Sequence, residues 1–234
     1  MDRKMSPQVA AAYNIIQKRI ISCDMSPESQ ISDYQLAMEL GMSRAPVREA
    51  LLLLAMDGLV RNPIGEKMTV SPIRLEDIED ILHVRNALEC EAVKIIAGRG
   101  WLSAEQENEL KSLHESFSKA ATLSTVSEHY MLDDKFHSTI VDYSKSERII
   151  DIISQMRLQM QRARWLNLAV PSRQAIATRE HEDLLYAIVG KDKYKSLNCI
   201  ETHLANSLAA FRKAFDDKHI KQLVVTISNY YNQS

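Results

Sequence analysis

Three histidines and one aspartate have the residue types and the spacing of a transition-metal site. Asp133 and His137 are four residues apart on one predicted helix, and His181 and His203 interrupt the apolar stripes of two later ones. Side chains at i and i+4 converge on one ion. Three imidazoles and a carboxylate suit Zn²⁺ first, then Ni²⁺, Fe²⁺ or Mn²⁺. A histidine taken alone also fits a hydrogen-bonded core, so the spacing leaves a metal site and a metal-free core both open.

Arg85 is a charged residue within the apolar stripe of an earlier predicted helix. A buried guanidinium needs a carboxylate partner, and two partners are consistent with the sequence. One is Glu89, a helical turn further on, in a purely internal pair. The other is an anionic ligand in a pocket beside the metal. A carboxylic acid that bridged Arg85 and the metal would account for both anomalies together.

A second group of chemistry-bearing residues lies in the first third of the chain. Arg44 and Arg48 are four residues apart, so they project together from one face of a predicted helix that Ser43 caps. An arginine can clamp guanine O6 and N7 with two hydrogen bonds, while Ser43 and the helix N-terminus approach phosphates. The pattern predicts recognition of duplex DNA. An αα-hairpin with a solvated basic face is the alternative.

The residues around these arginines predict a winged helix-turn-helix. Ser32 is a suitable N-cap for a first helix, and Gly41 permits the turn to the second. The second helix has a buried face at four positions: Val47, Ala50, Leu51 and Leu54. Residues 59–61 and 67–70, joined by a turn at 63–66, then predict a short hairpin that forms the wing.

Residues 31–37, 40–51 and 57–60 resemble the DNA-binding domain of GntR-family bacterial transcription regulators. The resemblance implies that five residues meet the operator: Ser43, Arg44, Ala45, Arg48 and, at the tip of the wing near the minor groove, Gly65. Two positions depart from the family pattern. Glu28 stands where the family mostly has Gly, and Tyr34 stands where many members place an arginine on phosphate.

The rest of the chain resembles the FCD ligand-binding domain found in the FadR branch of the same family. Residues 132–137, residues 180–181 and His203 correspond to the metal-binding pattern of that domain. The resemblance implies a metal held by Asp133, His137, His181 and His203. Arg85 matches the first position of its Arg-x₃-Glu pattern, which favours Arg85 as an effector-binding residue. The resemblance to the FadR branch also implies repression that a small organic acid relieves.

These patterns predict a mainly α fold with two domains. We expect a winged helix-turn-helix domain over 1–72 and an antiparallel all-helical bundle, FCD-like, over 73–234. The bundle follows from apolar residues with a 3.6-residue period and short connections. Its predicted helices are 75–97, 103–121, 125–143, 146–168, 173–190 and 192–217.

Composition limits the classes of function. The chain of 234 residues has a net charge of −2, and acidic and basic residues balance in 1–72, which favours site-specific DNA binding over nonspecific coating. Its three cysteines fit reduced thiols. No uninterrupted apolar span or signal-peptide core is present, so we expect a soluble cytoplasmic protein without membrane contact. Four other histidines are expected at the surface: His83, His114, His129 and His219.

Together these features predict a metabolite-responsive transcription regulator. One winged helix reads a short half-site at modest affinity, so we expect a homodimer on a pseudo-palindromic operator in double-stranded DNA. Two other classes are consistent with the metal-type residues. One is a metal-dependent hydrolase, since a metal with an open position activates water. The other is a metal-free helical interaction module in which the inward histidines satisfy one another.

Overall fold

The structure is a computed structural model, and it divides the chain into two compact units. Of the described residues, the first unit contains 5–74 and Leu158–Ala163, and the second contains the remainder from Leu75 onward. The described residues are 5–123, 126–167 and 173–216, of which 120–123, 126–130 and 164–167 are described by their backbone alone. The C-terminal segment from Lys218, whose role the sequence leaves open, lies outside them.

Up to Arg74, the described part of the first unit has three helices and a small sheet: α1 Pro7–Ile21, α2 Asp33–Leu40, α3 Arg44–Met56, β1 Val60–Arg61 and β2 Thr69–Val70. Helix α1 is an addition to the sequence-based prediction, which contains only the two later helices. It starts with Pro7 at its first turn, after an N-cap at Ser6 whose side chain accepts from the Val9 amide. It buries one apolar face: Val9, Ala12, Ile16 and Ile20.

The helix-turn-helix forms as its local signals predict, with one exception. The Ser32 side chain accepts from the Gln35 amide at the start of α2, and Gly41 ends that helix with a φ of 63°. Ser43 occupies the N-cap position of α3, but its side chain makes no capping hydrogen bond. The prediction that Ser43 caps a helix starting at Arg44 is therefore confirmed for the position, and the exception is the missing hydrogen bond from its hydroxyl.

The two strands of the wing are shorter than predicted, and β2 is paired along both of its edges. Strands β1 and β2 are antiparallel, with Val60 opposite Val70, and each has two residues. An isolated bridge joins Gln30 to Thr69, and the Ile31 amide donates to the Met68 carbonyl at 2.8 Å. The segment before α2 therefore supplies part of the pairing that the hairpin lacks.

The later helices are α4 Leu75–Gly98, α5 Ala104–Leu123, α6 Val126–Tyr143, α7 Glu147–Asn167, α8 Arg173–Val189 and α9 Lys193–Asp216. They form the described part of the second unit, except that Leu158–Ala163 of α7 belongs to the first. Their ends differ from the predicted ends by at most two residues. Helix α4 packs against α6 and α9, and α8 packs against α5 and α9. The mainly α fold with a winged helix-turn-helix and a helical bundle is confirmed. Among the described helices, none combines the length and the hydropathy that a membrane crossing requires.

Candidate metal centre and DNA-binding face

Helices α6, α8 and α9 bring the four residues of the predicted metal site together. One ligand atom from each of Asp133, His137, His181 and His203 lies within 4.8 Å of the others. His137 Nε2 is 3.1 Å from Nε2 of His181 and equally far from Nε2 of His203. Asp133 Oδ1 is 3.3 Å from His181 Nε2. The histidines are buried and Asp133 is half-buried, so the four side chains form a compact, mostly enclosed group of N and O donors.

Arg85 and Glu89 extend this group on the side of α4. Arg85 Nε and Nη2 donate to Glu89 Oε1 at 2.8 and 2.7 Å, and both side chains are buried. The other carboxylate oxygen, Oε2, is 2.9 Å from His137 Nδ1. Of the two partners that the sequence left open for Arg85, the internal one is therefore present. The same contacts connect Arg85 to the predicted metal ligand His137 through the carboxylate of Glu89.

Electrostatics keep this pair charged in spite of its burial. Burial disfavours the guanidinium, but Glu89 and Asp133 hold the pKa of Arg85 above its ordinary value. Burial likewise works against the Glu89 carboxylate, yet Arg85 and His137 hold its pKa below the ordinary value. Glu89 is therefore a carboxylate that only accepts hydrogen bonds.

A second arginine–glutamate pair, Arg173 and Glu180, contacts His203 on the side of its Nδ1. Glu180 Oε2 is 2.8 Å from His203 Nδ1, and Arg173 Nη1 donates to the same oxygen at 2.8 Å. Asn206 Nδ2 donates to Glu180 Oε1 at 2.6 Å, and Arg173 Nη2 donates to the Ser207 hydroxyl at 2.7 Å. Neither Arg173 nor Glu180 was predicted as a site residue, although residues 180–181 lie in the stretch that resembles the FCD pattern. The other signal was that Glu180 directly precedes a predicted ligand.

His181 has a different environment from the other two histidines. Its ring centroid is 4.5 Å from that of Phe117 and 4.7 Å from that of Phe136, which it stacks on. Its Nδ1 is buried and has no hydrogen-bond partner among the described residues. Burial, followed by His203 and His137, lowers the pKa of His181 well below its ordinary value. The ring is therefore neutral at pH 7, as a metal ligand must be.

Two neighbours of the group differ from it in role. Asp134 is buried but bonds away from the histidines, with its Oδ1 2.9 Å from Arg157 Nε. His114 was expected at the surface, and that prediction is wrong. It is half-buried, its Nδ1 is enclosed without a partner in the described part of the chain, and burial lowers its pKa. Its ring lies 6.4 Å from Phe136, because α5 packs against α6.

Three other histidines were predicted at the surface, and the structure describes the side chain of one of them. His83 is exposed on α4, as predicted. The side chain of His129 and the whole of His219 lie outside the described residues.

The predicted DNA contacts form an exposed face of the first unit. The residues around the first turn of α3 that the resemblance identifies are all exposed: Ser43, Arg44, Ala45 and Arg48. Gly65 is exposed between the two strands, with a φ of 80° that suits glycine. Arg44 Nη2 donates to both oxygens of Asp33, at 2.9 and 3.1 Å. Its guanidinium lies 6.0 Å from the centre of the Tyr34 ring, so the residue that departs from the family pattern contacts Arg44.

A winged helix-turn-helix joined to a helical bundle with inward histidines defines a class of DNA-binding regulator with a sensory domain. Residues 8–66 match the family model described as "Bacterial regulatory proteins, gntR family", and residues 80–206 match the model of the FCD domain. The chain belongs to the GntR family of bacterial transcription regulators and carries an FCD domain. The relatives are transcription regulators and not enzymes, which removes the hydrolase alternative.

Relatives and solved structures agree with this assignment. The chain is 26% identical over 204 residues to the HTH-type transcriptional regulator YdhC of Bacillus subtilis, covering 86% of this chain and 89% of that protein. It is 24% identical over 183 residues to the HTH-type transcriptional repressor RspR of Escherichia coli, covering 77% and 78%. The structure of E. coli McbR/YncC shares the fold with a TM-score of 0.74 at 22% identity, covering 91% of this chain and all of that one. A GntR regulator from Rhodococcus sp. RHA1 gives 0.72 at 17%, covering 89% and 99%.

Proposed function

We propose that this GntR regulator is a homodimeric, metal-containing repressor that a small organic acid releases from its operator. The domain over 1–72 would read one half-site of a pseudo-palindromic operator, and the domain over 73–234 would hold the metal and the effector. Zn²⁺ is the first candidate for the metal, with Ni²⁺, Fe²⁺ and Mn²⁺ as the others. The name of the relative RspR, a transcriptional repressor, supports repression as the sign of regulation.

The observation that carries the metal proposal is the way imidazole nitrogens converge. His137 and His203 each place Nδ1 within 2.9 Å of a carboxylate oxygen, so each ring donates its proton there and leaves Nε2 as a bare lone pair. Those two Nε2 atoms are nevertheless only 3.1 Å apart. Two lone pairs at that distance repel each other unless a proton or a metal ion lies between them. A cation bound by Asp133, His137, His181 and His203 would remove the repulsion and complete a familiar N and O ligand set.

The effector proposal depends on positive charge beside the same group. When bound, the metal would supply an electrophilic centre for a carboxylate oxygen. Arg85 keeps its charge close to Asp133, and we propose it as the second anchor for an organic acid. Its bond to Glu89 does not exclude that role, because a guanidinium has five donors and can serve two carboxylates.

The DNA proposal rests on the exposed face of α3. Arg44 and Arg48 are exposed four residues apart on a helix whose N-terminus is open to solvent. Ser43, Ala45 and Gly65 complete the proposed contact surface.

Regulation requires only a modest coupling between the effector and DNA. A difference of about 1–3 kcal/mol in effector affinity between the operator-bound and the free arrangement suffices.

Thermal unfolding against a panel of small carboxylic acids, before and after metal stripping, tests the proposal. A ligand that binds the native state raises its apparent stability, so one acid is expected to raise the melting temperature only in the metal-loaded protein. The same acid should release the protein from operator DNA in a titration at fixed salt. Stabilisation that stripping leaves unchanged would contradict the metal. Failure to retain any transition metal at neutral pH would favour a metal-free sensory bundle.

A further inference from the structure

We propose that Glu89 and Glu180 are positioning residues that preset the tautomers of His137 and His203, and that Arg85 and Arg173 hold the two carboxylates in place. This inference rests on the proposed metal site and deepens it. It makes the three histidines unequal, because two carry the proton on Nδ1 before any metal arrives and His181, whose Nδ1 faces no acceptor among the described residues, does not.

The contact behind His137 fixes which nitrogen carries the proton. Glu89 Oε2 is 2.9 Å from His137 Nδ1, and an ionised carboxylate can only accept. In the neutral ring Nδ1 is therefore the protonated nitrogen, and Nε2 is left free to bind a cation. Arg85 contacts the opposite carboxylate oxygen through two nitrogens, which fixes the orientation of Glu89.

The contact behind His203 repeats this arrangement with different parts. Glu180 Oε2 is 2.8 Å from His203 Nδ1, and Arg173 donates to that same oxygen. Asn206 donates to Oε1, so both oxygens of Glu180 are engaged. Here the arginine and the glutamate are seven residues apart on α8, whereas Arg85 and Glu89 are four apart on α4. One chemical arrangement reached by two different routes indicates a requirement of the histidines and not a by-product of helix packing.

His181 shows what an unsupported ring looks like in the same group. Its Nδ1 faces no acceptor among the described residues, and the ring lies between Phe117 and Phe136. Aromatic contact holds the ring plane but does not choose a tautomer. Hydrogen bonds from outside the metal shell commonly fix ligand orientation and tautomer, and their loss typically costs 10–100-fold in metal affinity.

Two substitutions separate positioning from simple structural pairing. Glu89→Gln and Glu180→Gln keep side-chain size, but each amide can donate as well as accept, so neither dictates the proton position on its histidine. Glu201→Gln is the matched control, because Glu201 is an exposed glutamate on α9 two residues before His203. Long-range ¹H–¹⁵N spectra of the metal-free proteins report the tautomer of each imidazole, and competition with a chromophoric chelator measures Zn²⁺ affinity.

In the wild-type protein we expect His137 and His203 as single Nδ1–H tautomers and His181 as the Nε2–H tautomer, because Asp133 Oδ1 lies 3.3 Å from His181 Nε2 and its Nδ1 faces no acceptor among the described residues. Each glutamine variant should lose the single tautomer of its own histidine only, and its Zn²⁺ affinity should fall by about 10–100-fold. The control should match the wild type in both measurements. Circular dichroism checks the fold; Glu180, at 11% side-chain exposure against 3% for Glu89, supplies the test by itself if Glu89→Gln unfolds.

The outcomes of these experiments distinguish the positioning role of the two glutamates from the proposed metal site on which it rests. Zn²⁺ binding that stays as tight in both folded variants as in the wild type overturns the positioning role, and so do mixed tautomers at His137 and His203 in the wild type. A wild-type protein with both tautomers fixed but without affinity for Zn²⁺ overturns the metal site instead. The two results cannot be confused, because one is read in the variants and the other in the parent.

Discussion

The two units place their chemistry-bearing residues in opposite environments. In the first, the proposed DNA contacts are exposed and lie within a short stretch of α3 and the wing. In the second, the proposed metal ligands are buried and come from helices far apart in the sequence. Exposed charges remain solvated, so they place little demand on the fold. Buried charges and imidazoles need partners, so the fold must supply a second layer of residues.

Two arginines show the difference within one residue type. Arg44 pairs with Asp33 while 59% of its side chain is exposed, and its contact with DNA would need only a rotation of that side chain. Arg85 pairs with Glu89 at 10% exposure. We therefore expect substitutions in the first unit to change operator affinity and substitutions in the second to change stability or metal content.

Replacing Arg85 by Ala should produce the largest effect on folding. The substitution leaves Glu89 buried without its cation, and breaking a buried pair in this way typically costs about 3–5 kcal/mol. The free energy of unfolding, measured with urea, gives the result. Arg212→Ala is the control, since Arg212 forms an exposed pair with Glu79 whose loss should cost about 1 kcal/mol or less. Equal small losses in both variants would contradict the distinction between buried and exposed pairs.

Replacing His137 by Ala should remove the metal while sparing DNA binding. His137 is the histidine whose Nε2 lies near both of the others, so its loss opens the proposed site. We expect Zn²⁺ affinity to fall by more than about 100-fold, or about 2.7 kcal/mol, beyond the range of an outer contact. Elemental analysis and an operator titration without effector measure the two properties. His83→Ala, at an exposed histidine of α4, should change neither. Full metal content in the His137 variant would exclude this residue as a ligand.

The sequence predicts those parts of the molecule that depend on local or periodic signals. The helix ends in the second unit and the turn at Gly41 follow from capping residues and apolar periods. The convergence of Asp133 with His137 follows from their spacing on one helix. For His181 and His203 the apolar stripes left a metal site and a metal-free core both open, and the family resemblance favoured the metal site, since no local rule sets the distance between helices.

The parts that the sequence analysis missed depend on contacts between elements. The pairing of Gln30 with Thr69 joins a loop to a strand, and the sequence around Gln30 carries no strand pattern of its own. Glu180 is adjacent to a predicted ligand, yet it serves His203 on the next helix. His114 stands between Leu113 and Glu115 in the sequence, and its enclosure depends on the packing of α5 against α6 and α8.

Replacing Arg48 by Ala should weaken operator binding without affecting the fold. If Arg48 reads a base, the loss should be about 1–3 kcal/mol in a titration at fixed salt. Because Arg48 is exposed, the free energy of unfolding should change by no more than about 0.5 kcal/mol. Lys18→Ala removes one exposed positive charge from α1 and should have a smaller effect on operator affinity. Unchanged operator binding would remove Arg48 from the contact surface.

Replacing Glu28 by Gly should stabilise the first unit, and this is the smallest effect. Glu28 has a φ of 66°, a left-handed conformation that favours glycine, and glycine is the residue the family mostly has there. Its side chain is exposed, and its amide would keep the 2.9 Å bond to the Val70 carbonyl. We expect a gain of about 1 kcal/mol in the free energy of unfolding.

Gly41→Ala is the mirror experiment. Gly41 has a φ of 63°, and an added Cβ would meet no atom within 4 Å, so any loss comes from the backbone alone. That variant should lose about 1 kcal/mol while Glu28→Gly gains a similar amount. Neither should alter Zn²⁺ affinity, because the proposed ligands belong to the other unit. If Glu28→Gly both raised the free energy of unfolding and tightened Zn²⁺ binding, stability in the first unit and metal affinity in the second would be coupled. That result would contradict the comparison between the two units.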